Sequence, residues 1–168
     1  FTNYSESLFV DYHFGKDAGQ EYVRGTRTAI GNQKPMFGPY GVNYSGYPGD
    51  VYYKGGNMLN TLRTLVNDDE KWRGVLRSVG EEFYHKTVTS DEFEKHIASF
   101  LGMNLDPFFN QYLRDRRLPT LEYYFKDGNL SYRWMNTINS FDMPVDVMIN
   151  GKTVRLTPKT RWSRIPTD

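Results

Sequence analysis

Apolar residues recur every three to four positions along the first two thirds of the chain, a pattern that predicts a series of amphipathic helices. The first predicted helix ends at Gly15, and a more polar second helix follows over residues 16–30. The predicted buried face of the first helix consists of Phe1, Tyr4, Leu8, Phe9 and Tyr12. We expect these two helices to pack on each other.

Four further helices are predicted between residues 50 and 116. Asp50 is positioned to cap the first of them, and the acidic run at 68–70 suits the start of the second. Thr89 and Glu92 have the spacing of a capping box at the start of the third, and residues 106–107 begin the short fourth helix. The predicted buried stripe after Asp50 is Met58, Leu59, Leu62, Leu65 and Val66.

After Pro119 the period of the pattern changes from 3.6 to 2, which predicts strands. Asp-Gly at 127–128 and Asn-Gly at 150–151 are two-residue hairpin turns, and we expect residues 161–168 to be a frayed end. The predicted cross-strand pairs are Leu121 with Trp134, Tyr123 with Tyr132, Phe125 with Leu130, Glu122 with Arg133, Val147 with Val154 and Val145 with Leu156. The predicted fold class is therefore α+β, with a helical part at residues 1–117 and an antiparallel β domain of two hairpins at residues 118–168.

Composition and charge exclude several classes of function. The 21 basic and 20 acidic residues nearly cancel, so no electrostatic footprint for nucleic acid is present. No apolar run approaches the ~20 residues of a transmembrane segment. The chain has no cysteine, which excludes a disulfide framework, a thiolate zinc site and a cysteine nucleophile. His13, His85 and His96 are isolated, so no metal ligands are predicted in this chain.

The most informative segment is an aromatic loop over residues 32–49 and the helix start that follows it. Long loops of this kind are usually functional or disordered, and its aromatic side chains favour the wall of a cleft. Tyr52 is predicted in the first helical turn beside Gly55 and Gly56, where its hydroxyl could point into that cleft. From the pattern alone, packing is the more common role for such a tyrosine. A different reading is a non-catalytic module whose residues 35–53 bind a peptide or carbohydrate by stacking.

Several segments, taken in order, carry a family resemblance. They are Phe-Thr-Asn-Tyr-Ser-Glu at 1–6, Tyr-Tyr-Lys-Gly at 52–55, Thr-Ser-Asp-Glu-Phe at 89–93, the run at 106–113 and Leu-Pro at 118–119. Together they resemble the membrane-alanyl-aminopeptidase-like zinc metallopeptidases, the gluzincin aminopeptidases. The resemblance implies the helical C-terminal subdomain of a thermolysin-like catalytic domain, followed by the start of a small antiparallel β domain.

The resemblance also implies a function, namely zinc-dependent removal of N-terminal residues from peptides. In this family two histidines and a glutamate hold zinc and a second glutamate is the general base. These residues, and the element that grips the substrate's amino terminus, would all precede Phe1. We therefore expect this fragment to bind no catalytic zinc and to be inactive by itself.

Within the chain, the Y-x-K-G element resembles the family's catalytic tyrosine motif at Tyr52, whose hydroxyl would stabilise the tetrahedral oxyanion. Tyr53 competes for that role, although a one-residue shift on a helix turns a side chain by about 100°. Peptide substrates are the implied partners, and the residues predicted to contact them are Tyr40, Tyr44, Tyr47 and Tyr53. The sequence leaves the oligomeric state open, and it leaves localisation open with a slight preference for an extracytoplasmic parent.

Overall fold

The computed structural model describes residues 1–42 and 49–167, and these residues form an α+β fold as predicted. The helices are α1 (Thr2–Phe14), α2 (Lys16–Thr26), α3 (Gly55–Val66), α4 (Asp69–Glu82), α5 (Ser90–Leu101) and α6 (Asp106–Arg114). A 3-10 turn (Arg27–Ala29) follows α2, and a π-helical turn (Asp50–Lys54), called the π turn below, leads into α3. The strands are β1 (Thr120–Lys126), β2 (Asn129–Met135), β3 (Val145–Ile149), β4 (Lys152–Leu156) and β5 (Ser163–Pro166). The chain forms two compact units, Phe1–Asn104 and Leu105–Asp168.

The helix ends follow local side-chain chemistry. The Thr89 N–H donates to Glu92 Oε2 (2.8 Å) and the Glu92 N–H donates to Thr89 Oγ1 (3.3 Å), so the predicted capping box of α5 is confirmed. Gly102 ends the same helix with φ +65°, a conformation that costs glycine little. The Lys71 N–H donates to Asp68 Oδ1 at 2.9 Å, which caps α4.

The core of the first unit lies where α1, α3 and α4 meet. The Trp72 Nε1–H donates to the Tyr4 hydroxyl oxygen at 2.9 Å, and the two rings meet edge to face. Burial raises the pKa of Tyr4. The predicted stripe of α3 is confirmed for Met58, Leu59, Leu62 and Leu65, whereas Val66 is only half-buried.

The predicted buried face of α1 is confirmed only at Tyr4. Tyr4 is buried, but Phe1, Phe9 and Tyr12 are exposed and Leu8 is half-buried. The inner side of α1 carries Tyr4, Ser7 and Asp11 instead, because α2 approaches α1 closely at Asp11 and Arg63 of α3 pairs with the same carboxylate. The ion pair at Asp11 and the close approach of α2 therefore decide which side of α1 faces inward, and the aromatic stripe is left exposed.

Arg63 joins three helices of this unit through ion pairs. Its Nη1 lies 2.6 Å from Asp11 Oδ2 of α1, and its Nε lies 2.8 Å from Asp69 Oδ1 of α4. Lys16 Nζ of α2 lies 2.7 Å from Asp69 Oδ2. The hydrogen bond from Arg63, followed by that from Lys16, holds the pKa of Asp69 well below its usual range, and the hydrogen bond to Asp69 raises the pKa of Arg63.

The strands of the second unit pair in the predicted register, but in two sheets. Leu121 lies opposite Trp134 in β1–β2, and Val147 lies opposite Val154 in β3–β4. The predicted Glu122–Arg133 pair is confirmed at 2.5 Å. The first sheet has the order β1-β2-β5 and the second contains β3 and β4. The core of this unit is Leu130, Tyr132 and Leu156, with apolar residues of both sheets packed against it.

The predicted frayed end is wrong, because residues 163–166 form strand β5. Ile165 lies opposite Leu130, and the Thr167 N–H donates to the Gly128 carbonyl at 3.0 Å. The guanidinium of Arg133 lies 4.6 Å from the centre of the Trp162 ring, a cation–π contact. The strand has only four residues and ends in proline, so it carries no alternating pattern of useful length.

Helix α6 belongs to the second unit, whereas the sequence-based division lies at 117–118. The buried Gln111 side chain explains this. Its Nε2 donates to the Arg117 carbonyl at 2.8 Å, and its Oε1 accepts from the Ile138 N–H at 2.8 Å. One amide therefore ties α6 to the segments on both sides of the β1–β2 hairpin.

The sequence predicts no transmembrane segment, and the lengths and hydropathy of the described helices agree with this. Among those in the described part of the chain, none has the length and apolarity needed to cross a bilayer.

Candidate active site

Tyr52 lies in the middle of the π turn that leads without a break into α3. Its side chain is 59% exposed, whereas its neighbours Asp50 and Lys54 are only 1% and 4% exposed. The turn therefore anchors two charged residues inward and presents the phenol outward. Single π-helical turns are rare and occur frequently at functional sites.

Asp50 anchors the front of the π turn. Its Oδ1 accepts from the Gly31 N–H at 2.8 Å and from the Asn32 N–H at 3.2 Å, and Asn32 has φ +49°. The prediction that Asp50 caps the following helix is wrong, since its hydrogen bonds go to this distant loop and no side-chain cap is present. Within the described part of the chain, the buried Asp50 Oδ2 and Asn32 Oδ1 accept no hydrogen bond.

Asn57 anchors the back of the π turn. Its Nδ2 donates to the Tyr53 carbonyl and to Thr26 Oγ1, both at 2.9 Å, and its Oδ1 accepts from Arg27 Nε at 3.0 Å. The π turn is thus joined at both sides to the end of α2 and the segment that follows it. Sequence reasoning missed Asn57 because its partners lie up to 31 residues away.

The start of α1 lies directly against the start of α3. A Cβ built on Gly56 would be 2.9 Å from Asn3 Oδ1 and 3.9 Å from the Tyr4 amide nitrogen. The Cβ position of Gly55, by contrast, has nothing within 4 Å. Of the two glycines beside Tyr52, Gly55 therefore faces open space, whereas Gly56 permits the close approach of α1.

A polar cluster on α1 and α2 lies near the π turn. The Tyr22 hydroxyl donates to Glu6 Oε2 at 2.5 Å, and Asn3 Nδ2 donates to the same oxygen at 3.0 Å. The hydrogen bond to Glu6 is the main reason why the pKa of Tyr22 is raised, and the Coulomb interaction with Tyr53 adds to the increase. Asn3 belongs to this cluster and lies against Gly56, so the cluster is close to the end of the π turn.

The other tyrosines predicted to contact the substrate differ from one another in exposure. Tyr53 is half-buried on the same turn as Tyr52. Tyr40 is fully exposed, so no part of the described chain forms a cleft around it. Tyr44 and Tyr47 lie outside the described residues, and their predicted contact with substrate stays a prediction.

The described residues do not fit a zinc site. Across residues 1–42 and 49–167, no three or more histidine, aspartate or glutamate side chains cluster as a metal would require.

No protein-family model matches the chain, and a search of curated proteins finds no significant match.

Proposed function

We propose that this chain is the C-terminal part of the catalytic domain of a zinc-dependent aminopeptidase, together with the start of its β domain. Tyr52 donates a hydrogen bond to the oxyanion that forms when the first peptide bond of the substrate is attacked. In this proposal the zinc ligands, the general base and the group that binds the substrate's amino terminus precede Phe1. The proposal rests on the resemblance of segments 1–6, 52–55 and 89–119 and on the position of α1.

The contact between α1 and Gly56 is the observation that carries the proposal. The resemblance puts the last zinc-binding glutamate immediately before Phe1. Asn3 lies against Gly56, and Gly56 follows Tyr52 by four residues. A ligand at the start of α1 and a phenol at the start of α3 would thus lie at adjacent helix ends. This arrangement suits a carbonyl bound between a metal and a hydrogen-bond donor.

The outward direction of Tyr52 supports its role as that donor. A phenol supplies one O–H donor and adds no charge to the site. A donor aimed at a developing oxyanion contributes about 2.7–4 kcal/mol to the transition state. The anchors at Asp50 and Asn57 hold the turn that carries the phenol, as such preorganised stabilisation requires.

The test is Tyr52→Phe in the complete parent protein, assayed with a panel of aminoacyl p-nitroanilides. We expect kcat to fall by about 100- to 1000-fold with zinc content unchanged, because only the hydroxyl is removed. Tyr53→Phe should change kcat far less, and Tyr84→Phe, on an exposed side chain after α4, is the matched control. Activity within a few-fold of the parent in Tyr52→Phe would show that the assignment is wrong.

The alternative binding module makes the opposite prediction at the same residue. Stacking uses the ring face, so Tyr52→Phe should bind a peptide or sugar nearly as well as the parent does. The full exposure of Tyr40 favours this reading for the loop. Peptide binding that survives Tyr52→Phe, in a parent that hydrolyses none of the panel, would select the module.

A further inference from the structure

The least exposed acidic side chain near Tyr52 is that of Asp50, and its environment is unusual. Its exposure is 1%, yet only one of its two oxygens accepts hydrogen bonds from the described residues. A buried carboxylate with unused acceptor capacity is costly, and such exceptions require an explanation. An apolar residue would fill the same space without the cost of a buried, unpaired oxygen, so packing alone does not explain a carboxylate here.

We infer that Asp50 is a positioning residue for Tyr52: its buried carboxylate clamps the loop at Gly31 and Asn32 to the π turn and so sets the direction of the phenol. The inference rests on the role proposed for Tyr52 and names a second residue on which that role depends. Asp50 does not touch the substrate; it acts through Tyr52, two residues further along the turn.

The clamp consists of two consecutive backbone N–H groups that converge on one carboxylate oxygen. The chain turns at Asn32, whose φ is +49°, and the N–H groups of Gly31 and Asn32 both donate to Asp50 Oδ1, with N···O distances of 2.8 and 3.2 Å. Successive N–H groups in such a turn form an anion-binding concavity. Hydrogen bonds to a charged acceptor are about twice as strong as neutral ones, so the carboxylate matters beyond its shape.

Asn57 is a second anchor that fixes the position of the π turn. Asn57 joins the Tyr53 carbonyl to Thr26 and Arg27, and Asp50 joins the other end of the turn to residues 31 and 32. Tyr52 lies between these two attachments. Loss of the front attachment frees the part of the turn that precedes the phenol. A misplacement of about 1 Å in a catalytic group can cost on the order of 100-fold in rate.

The first experiment tests the clamp without reference to activity. Hydrogen exchange of the Asp50→Ala parent protein should show faster exchange than the wild type in peptides that cover residues 27–42, because two amides lose their acceptor. Asp17→Ala, at an exposed position in the first turn of α2, is the matched control and should leave these peptides unchanged. Unchanged exchange in Asp50→Ala would overturn the clamp.

The second experiment tests positioning by a double-mutant cycle in the complete parent protein. We expect Asp50→Ala to lower kcat by about 10- to 100-fold with KM within about 3-fold and zinc content intact. In a Tyr52→Phe background the same change should lower kcat by less than about 3-fold, since the group that it positions is already gone. An equal loss in both backgrounds would overturn the positioning role.

The conservative variant Asp50→Asn guards against a trivial loss of folding. Its amide oxygen still accepts from the two amides, more weakly, so kcat and exchange should lie between those of the parent and Asp50→Ala. If Asp50→Ala does not fold, both experiments are made with Asp50→Asn instead. Parental kcat and parental exchange in Asp50→Asn would then overturn the inference. Parental activity in Tyr52→Phe would contradict both the proposed function and the positioning role of Asp50. The exchange experiment does not depend on activity, so it would still decide whether the clamp exists.

Discussion

Asp69 shows how single charges hold the helical unit together. Two cations contact it, one on each oxygen, and it links α2 and α3 to the first turn of α4. Its position there is favourable for a second reason, because a negative charge in the first turn complements the helix dipole. A side chain that is 33% exposed is partly screened by water, so the whole arrangement contributes modestly.

The depressed pKa of Asp69 predicts a dependence of stability on pH. Because the folded-state pKa lies below the unfolded one, the stabilisation is present above about pH 4 and is lost as the pH falls through the folded-state value. Asp69→Asn should lower the free energy of unfolding at pH 7 by about 0.5–1 kcal/mol, and the difference from the wild type should shrink toward pH 3. Urea denaturation at several pH values measures this.

A matched control for Asp69 is Glu81→Gln on the exposed side of the same helix. Its difference from the wild type should stay near zero throughout. An Asp69→Asn difference that is constant or grows toward low pH would contradict the sign of the linkage.

Helix α2 shows how one element can contain two glycines with opposite roles. Gly19 is buried where α2 crosses α1, and a Cβ there would lie 2.8 Å from Asp11 Cβ and 3.1 Å from Asp11 Cα. Gly25 is exposed, and a Cβ there would have nothing within 4 Å. The first glycine permits the close approach that also brings Asp11 to Arg63, whereas the second only weakens the helix.

We predict opposite effects for the two alanine substitutions. Gly19→Ala should lower the free energy of unfolding by about 1–3 kcal/mol, because the new methyl group meets backbone that cannot move aside. Gly25→Ala should raise it by about 0.5–1 kcal/mol, since alanine loses less backbone entropy in a helix. Urea denaturation followed by helical circular dichroism compares the two. Equal effects of the same sign would show that α1 and α2 do not approach as described.

At the scale of the whole molecule, each unit leaves aromatic side chains exposed. Phe9, Tyr12 and Phe14 are exposed on α1, and Tyr123 and Phe125 are exposed on β1. Exposed apolar groups are normal singly, but clusters of them are typical of surfaces that meet other protein segments. In the proposed function the chain is part of a larger enzyme, which would account for such surfaces.

The proposed function predicts a division of chemistry along the parent chain. The coding region upstream of Phe1 should encode H-E-x-x-H and then a glutamate directly before Phe1. The complete protein should bind one zinc and hydrolyse aminoacyl p-nitroanilides, whereas the 168-residue chain should do neither. Sequencing about sixty upstream codons and measuring zinc by mass spectrometry check this. An upstream region without the metal motif would contradict the proposed function.

The sequence proposed tyrosines for the candidate site, and their roles stay predictions. The resemblance led to Tyr52, and the aromatic segment led to Tyr53 and Tyr40, of which Tyr53 shares the π turn and Tyr40 is fully exposed. The residues that hold the turn were not predictable as a set. Asp50 reaches amides 18 and 19 residues away, and no local pattern distinguishes that use of an aspartate from a helix cap.

The sequence by itself determined the features whose partners lie within a few residues: the capping box of α5, the glycine that ends it and the registers of both hairpins. Hydrogen bonds across three residues and a two-residue turn leave few alternatives. Only the tertiary structure decided the inner face of α1, the addition of β5 and the clamp at Asp50. These depend on contacts between distant segments, and such contacts can override both the hydrophobic period and the local role of a side chain.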